Sequence, residues 1–267
     1  MLIKRIYRAL RWSLKPFVWN NDAKKIRKII LKTKLKPKQL SLEGKVLILA
    51  PHSDDEWIGC FSLVENHDCA ICSMDMVGGN DDEQRAKRFL EMKAIAVKYK
   101  RELVRVGEPK TESLIDLIAS FRPSYIAVPF FIDWHEEHIA TMNILKDSVS
   151  NYDGKIICYQ VSCPIPMSYV THVAPLSKTD WKRKWSLFRT NYKTQNQFPW
   201  KRFSAIEKAE GAYSNTYASN VFSVFDAKDW VASFDIIPSR DKIDAIKEAL
   251  NTPEALFLQV NKYGKDR

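Results

Sequence analysis

The sequence predicts a three-layer α/β sandwich on a mostly parallel sheet, preceded by a basic helical N-terminal arm. Three observations carry that expectation. Apolar runs of strand length alternate with helical segments over residues 45–161, the links between them are short, and the first run, Lys45 to Ala50, lacks polar alternation. Uninterrupted runs of this kind mark strands buried on both faces, and alternation with helices implies βαβ crossovers.

The 267 residues, 45% apolar and 28% charged with only 8 Gly and 12 Pro, suffice for one sizeable core and exclude disorder and collagen-like repetition. The formal charge of +10 is unevenly placed. Thirteen of the 42 Lys and Arg but only one acid, Asp22, fall in residues 1–38, leaving +12 there and −2 in the rest. A near-neutral body with a basic arm differs from a basic nucleic-acid-binding domain, because only the arm has the field to recruit an anionic surface. The expected division is an arm over 1–38 and a globular domain over 39–267.

Within the arm, Ile3, Ile6, Leu10, Leu14 and Phe17 recur at steps of three or four with cations between them, the period of an amphipathic helix. Pro16 is expected to end it. A second short helix is expected over Asp22 to Thr33, with Asp22 at its cap and Ile26, Ile29 and Ile30 on one face. Two readings stand side by side: the helices pack on the domain, or they lie on an anionic membrane with Trp12, Phe17 and Trp19 among the headgroups. Lys4, Arg5, Arg8, Arg11 and Lys15 interrupt every apolar run, which argues against a secretory leader or a membrane span.

The body starts with the strand Lys45–Ala50, stopped by Pro51. Strands follow at Ala70–Met76, Glu102–Val106, Tyr125–Phe131 and Lys155–Val161, and helices at Asp82–Lys100, Glu112–Phe121 and His138–Val149. Beyond them come a helix over Asp180–Tyr192, an irregular aromatic-rich stretch, and a last helix near Ser239–Leu250. The five cysteines form no even framework, and a reducing compartment is the simpler reading. Cys69 and Cys72 have redox-pair spacing but sit inside an apolar run, so they read as buried structural thiols.

Functional groups of open α/β sheets collect just past the C-terminal ends of strands. Two such loops are rich in chemistry: Pro51-His52-Ser53-Asp54-Asp55-Glu56 and Asp133-Trp134-His135-Glu136-Glu137-His138, which hold three of the five histidines. Two imidazoles and one carboxylate with a position left for water make the ligand set of a catalytic zinc. His52 and Asp55 are three apart where the loop turns into a helix, and His138 closes the set. Asp54, ionised beside such a metal, is a natural general base.

These residues resemble the PIG-L/LmbE-like zinc-dependent deacetylases of N-acetylated amino sugars. The likeness runs through Pro51-His52-Ser53-Asp54-Asp55-Glu56, Gly78-Gly79-Asn80, Arg88-Phe89-Leu90-Glu91 and His135-Glu136-Glu137-His138 in order, with Tyr192-Lys193-Thr194-Gln195 and Tyr217-Ala218 further on, and covers about residues 44–225. Departures are Ser53 in place of the usual Pro, Glu137 where Asp is common, and Ser219 where Glu is common. The resemblance implies a Rossmann-like fold, Zn2+ held by His52, Asp55 and His138, Asp54 as base, and His135 polarising the amide carbonyl or stabilising the oxyanion. The alternative for His135 is a capping residue held by Asp133. Arg88 is expected to hold a sugar hydroxyl or phosphate, against a surface ion pair with Glu91, and Asn80 to lie close to the substrate.

The expected function is therefore removal of acetyl from an N-acetylhexosamine unit of a sugar or glycoconjugate, in cell-surface glycan or glycolipid biosynthesis. The alternatives are deacylation of another amine, such as a thiol glycoside or an antibiotic sugar, and a non-catalytic binding module with a basic arm. Expected partners are an N-acetylated sugar, lipid-linked or nucleotide-linked, and an anionic membrane touched peripherally. Nucleic acid is not expected, since the arm carries an apolar stripe that backbone tracking does not need. The expected location is the cytoplasm, at the inner face of the membrane.

Overall fold

Among the residues described by the computed structural model, 2–76, 82–106, 109–195 and 198–264, with side chains from Lys15 onward except Pro16, eight strands form one sheet. They are β1 (Lys38–Gln39), β2 (Val46–Ala50), β3 (Cys69–Ser73), β4 (Glu102–Arg105), β5 (Tyr125–Pro129), β6 (Lys155–Tyr159), β7 (His172–Leu176) and β8 (Ala218–Asp226). The spatial order is β1-β7-β8-β6-β5-β2-β3-β4. Every neighbouring pair is parallel except those made by β8, which runs antiparallel to both β6 and β7.

The helices are α1 (Leu2–Lys32), α2 (Asp55–Ile58), α3 (Phe61–Asn66), α4 (Asp82–Tyr99), α5 (Thr111–Phe121), α6 (Glu136–Ser148), α7 (Lys178–Asn191), α8 (Trp200–Glu210), α9 (Ala227–Ala232), α10 (Arg240–Ala249) and α11 (Pro253–Tyr263). Alternation along the strands divides them into two layers. Leu47, Leu49, Ile126, Val128, Ile156 and Cys158 pack with α1, α5, α6, α8, α9, α10 and α11. On the other side, Val46, Ile48, Ala50, Ala127, Ile157 and Tyr159 pack with α2, α3, α4 and α7. This is the expected three-layer sandwich on a mostly parallel sheet. Cys69 and Cys72 belong to opposite layers, and all five cysteines are buried free thiols.

From β2 the chain winds outward through β3 to β4, then crosses back to place β5 on the other side of β2. The winding direction therefore reverses between β2 and β5. A crevice opens at such a reversal, at the C-terminal ends of the two strands, where α/β proteins bind ligands.

Three strands and several helices lie outside the expected pattern. β8 reads Ala-Ser-Asn-Val-Phe-Ser-Val-Phe-Asp, with Ser219, Asn220 and Ser223 buried, so no apolar run announces it. Asn220 is tolerated inside because its amide bonds Glu207 (3.0 Å) and accepts the Ser62 N–H (3.3 Å). β7 contains Pro175, and β1 has only two residues. The aromatic stretch expected to be irregular contains α8, and α11 follows the helix expected to be last.

The arm departs from expectation as well. α1 runs unbroken through Pro16, where a stop and a second helix at Asp22 were expected. Proline removes one backbone donor and crowds the preceding turn, but the C-terminal half of α1 is fastened by tertiary contacts. Trp19, Ala23, Ile26 and Ile30 are buried in the main core beside Ala205, Ile206 and Ala209 of α8 and Leu256 of α11. Lys25 pairs with Glu254 (2.5 Å), and Arg27 Nη1 donates to the Lys208 carbonyl (3.3 Å). Over residues 19–30 the apolar stripe thus faces the domain. Ile26→Ala is expected to lower unfolding stability by about 2–5 kcal/mol, the range for deleting buried aliphatic bulk; thermal or denaturant melts measure it, and an unchanged midpoint contradicts the packing role. No described helix is long and apolar enough to cross a membrane.

Candidate metal centre and its cavity

The loop after β2 is shaped by buried contacts before any ligand is considered. Asp54 adopts φ 148° and ψ −21°, a conformation rare for residues with a side chain and costing about 1–3 kcal/mol. Its N–H donates to Glu56 Oε2 (3.0 Å), and Glu56 Oε1 accepts the Tyr192 hydroxyl. Trp57 is wholly buried, and its indole N–H donates to the Lys184 carbonyl (2.9 Å). Lys184, also buried, donates to the Ile58 carbonyl (2.5 Å) and pairs with Glu207. At Gly59 a Cβ would lie 2.2 Å from Tyr159 Cδ2, so glycine lets the end of α2 rest on β6.

The loop after β5 carries the second half of the centre. Asp133, 2% exposed, accepts the His135 N–H at Oδ1 (2.9 Å) and meets His138 Nδ1 at Oδ2 (2.9 Å). His135 stands at the N-cap position of α6 without a side-chain capping bond, and its Nδ1 meets Glu137 Oε2 at 2.6 Å. The two loops converge. His52 Nδ1 stands 3.3 Å from Asp55 Oδ2 and 3.3 Å from His138 Nε2, and His138 Nε2 stands 3.4 Å from Asp55 Oδ2.

That triangle fits a metal. Ligand atoms about 2.0–2.1 Å from a tetrahedral zinc are separated by about 3.3–3.4 Å, which all three edges match. Asp133 against His138 Nδ1 is the carboxylate–imidazole support that turns the other ring nitrogen toward an ion. A wider group, His52, His135 and His138, has donor atoms within 4.8 Å of one another. The His52–Asp55–His138 set fits better, because its three donor atoms lie 3.3–3.4 Å apart whereas the three imidazoles spread to 4.8 Å.

The electrostatics agree with a cation site. Burial raises Asp54 well above the ordinary carboxylate range, Asp55 and Glu56 add to the rise, and Arg88 and His138 offset part of it. Burial also raises Glu56, to about 7, against the Tyr192 hydrogen bond. Asp55 would rise by burial too, but His138 and His52 hold it far below the usual range. Burial opposes the charge of His138, yet Asp133 and Asp55 lift it to about 10. His135 is lowered by burial and then by the other two imidazoles. Three consecutive buried carboxylates repel one another unless positive charge is held among them.

A cavity of about 360 Å³ opens over the triangle and is lined by Asp54, Arg88, Trp134, His135, Gln195 and Arg202, among others. The Asp54 carboxylate accepts no hydrogen bond among the described residues. Arg88 does not pair with Glu91, whose carboxylate instead takes the Thr194 N–H (2.9 Å) and hydroxyl (2.5 Å). His52, Asp54, Asp55, Arg88, His135 and His138 are thus brought together; Gly78, Gly79 and Asn80 lie outside the described residues. His67 and His172 are remote from the centre, at the end of α3 and the start of β7. Sequence reasoning missed the hold of Asp133 on His138, for which the five-residue spacing on a strand-end loop was the available signal. Arg202 and Phe203 were also missed, since they sit on a helix whose own pattern was not recognised.

Asp133→Asn is expected to weaken metal affinity by about 10–100-fold, the usual effect of removing such a support. Competition with a chelating dye measures it, and an unchanged affinity would sever Asp133 from the centre.

No family model matches the sequence, and no curated protein matches it. Solved structures do. N,N'-diacetylchitobiose deacetylase from Pyrococcus horikoshii superposes with a TM-score of 0.58 at 14% identity, over 77% of this chain and 91% of that one. The A40926 pseudoaglycone deacetylase Dbv21 gives a TM-score of 0.51 at 12% identity, over 68% and 97%. A zinc-inhibited form of the teicoplanin deacetylase Orf2 gives 0.52 at 11% identity, over 69% and 99%. The chain has the fold shared by these LmbE/PIG-L-like deacetylases.

Proposed function

We propose that the protein is a zinc-dependent amidohydrolase that removes the acetyl group from an N-acetylhexosamine unit of a glycan or glycolipid precursor. The observation that carries this reading is the tetrahedral-edged triangle of His52, Asp55 and His138 beside Asp54, at the floor of a cavity at the β2–β5 reversal. The sugar deacetylases that share the fold support the substrate class.

In this reading His52, Asp55 and His138 would hold the ion. When bound, zinc acts as a Lewis acid and brings the pKa of water toward 7. Asp54 takes a proton from the water that attacks the amide carbon. His135, paired with Glu137 through Nδ1, donates from Nε2 of its imidazolium form, which the negative charge developing on the acyl oxygen favours. Asp54 then returns the proton to the leaving nitrogen, so amide and water become free amine and acetate. Arg88 holds a polar group of the sugar. Acetate release from a panel of N-acetylated sugars, neutral, nucleotide-linked and lipid-linked, tests the reading; no release from any member would refute it.

Peripheral contact with an anionic membrane belongs to the same reading. Its support is the exposed face of α1, where Phe17 (78% exposed) and Val18 adjoin the exposed Lys24 and Lys28. Lys24→Glu with Lys28→Glu should weaken sedimentation with anionic vesicles and leave neutral vesicles unaffected, because each cation near such a surface contributes about 1 kcal/mol. Equal vesicle binding by the variant contradicts the location.

A further inference from the structure

Arg202 lies in the cavity wall on α8 and is 7% exposed. Its Nη1 donates to the Leu250 carbonyl, its Nε has no hydrogen-bond partner, and no carboxylate pairs with it among the described residues. The guanidinium lies 4.9 Å from the Phe203 ring centroid. Arg88, whose Nε likewise has no hydrogen-bond partner, differs in that it acts on the neighbouring Asp54 carboxyl, whereas no acidic side chain faces Arg202 among the described residues. A buried cation with no counter-charge is unfavourable, and buried guanidinium donors are ordinarily satisfied. The Leu250 carbonyl, at the negative C-terminal end of α10, takes one donor and offsets part of the charge, but Nε stays unpaired.

We propose that Arg202 is the anchor of an anion subsite in this cavity, so that the substrate carries an oxyanion, a phosphoester or a carboxylate, beside its acetamido sugar. The inference rests on the deacetylase reading for the sugar but not for the anion. Guanidinium matches both oxyanions through paired N–H donors. The sugar phosphate is the form in which a lipid-linked or nucleotide-linked hexosamine presents its charge next to the ring.

The test uses the zinc-loaded full chain and its Arg202→Met and Arg202→Lys variants. KM is measured for N-acetylglucosamine 1-phosphate, for N-acetylmuramic acid as the carboxylate case, and for neutral N-acetylglucosamine. One anionic sugar should show a KM lower than the neutral one by about tenfold or more, the size expected of a charge-assisted hydrogen bond, and which one does so identifies the oxyanion. Arg202→Met should erase that ratio and Arg202→Lys keep part of it. Calorimetric binding of inorganic phosphate, lost in Arg202→Met, gives a readout independent of turnover. If no sugar is deacetylated, the hydrolase reading fails while Arg202-dependent phosphate binding still upholds the subsite. Equal KM values for anionic and neutral sugars in the wild-type protein overturn the subsite, even where Arg202→Met does not fold. Phosphate binding that survives in a folded Arg202→Met protein overturns it too, since the phosphate would then sit elsewhere.

Discussion

Asp54→Asn retains zinc at the wild-type stoichiometry and releases acetate about 10²–10⁴-fold more slowly, the usual contribution of a positioned base. Asparagine preserves the size of the side chain and leaves His52, Asp55 and His138 untouched, so the ion stays. What disappears is the proton acceptor. The backbone at residue 54 is also strained, at φ 148°, and asparagine tolerates unusual backbone angles better than most residues, so the fold should survive. Metal content, melting temperature and turnover measured on one preparation separate these effects. A variant of full activity removes Asp54 from the reaction, and one that loses zinc makes it a ligand.

His138→Ala is expected to lose both zinc and activity. Two remaining protein ligands hold a catalytic zinc poorly, since such sites use three. The substitution also strands Asp133, 2% exposed, without the imidazole that faces its Oδ2, so some loss of stability should accompany loss of metal. Added zinc should not restore turnover. Stoichiometric zinc in the purified variant would mean that another group, His135 being the nearest candidate, supplies the third ligand.

The parts of the fold that could be read from the chain are those where one physical demand dominates. β2, β3, β5 and β6 are covered on both faces, so apart from Ser73 and the exposed Lys155 at strand ends they are apolar throughout, and their starts fall near the predicted positions. β8 is equally buried, but its polar residues are satisfied by partners far away in sequence, such as Glu207 for Asn220, and local pattern does not carry that information. Pro16 illustrates the reverse case. A strong local stop signal is overridden by a helix whose other half is fastened to α8 and α11.

The candidate site divides in the same way. His52, Asp54, Asp55, His135 and His138 are visible because strand-end loops dense in His and Asp have few structural uses, and the family resemblance runs through those residues. Asp133 acts through the ring orientation of His138, which sequence spacing alone does not specify. Arg202 reaches the cavity because α8 packs on the loop after β6, where Gln160 donates to Glu210 (2.7 Å), a tertiary contact with no local signature. The paired Glu56 and Tyr192, 136 residues apart, brace the strained Asp54 backbone for the same reason.

The most direct measurement is acetate and free amine released from an N-acetylated hexosamine by the full chain, before chelation, after chelation, and after zinc is returned. One acetate is expected per amine, with loss of turnover on removal of the metal and recovery as zinc approaches one ion per chain. Undiminished turnover by the chelated protein, or one zinc per chain with no amide cleaved in any sugar of the panel, would contradict the zinc-deacetylase reading.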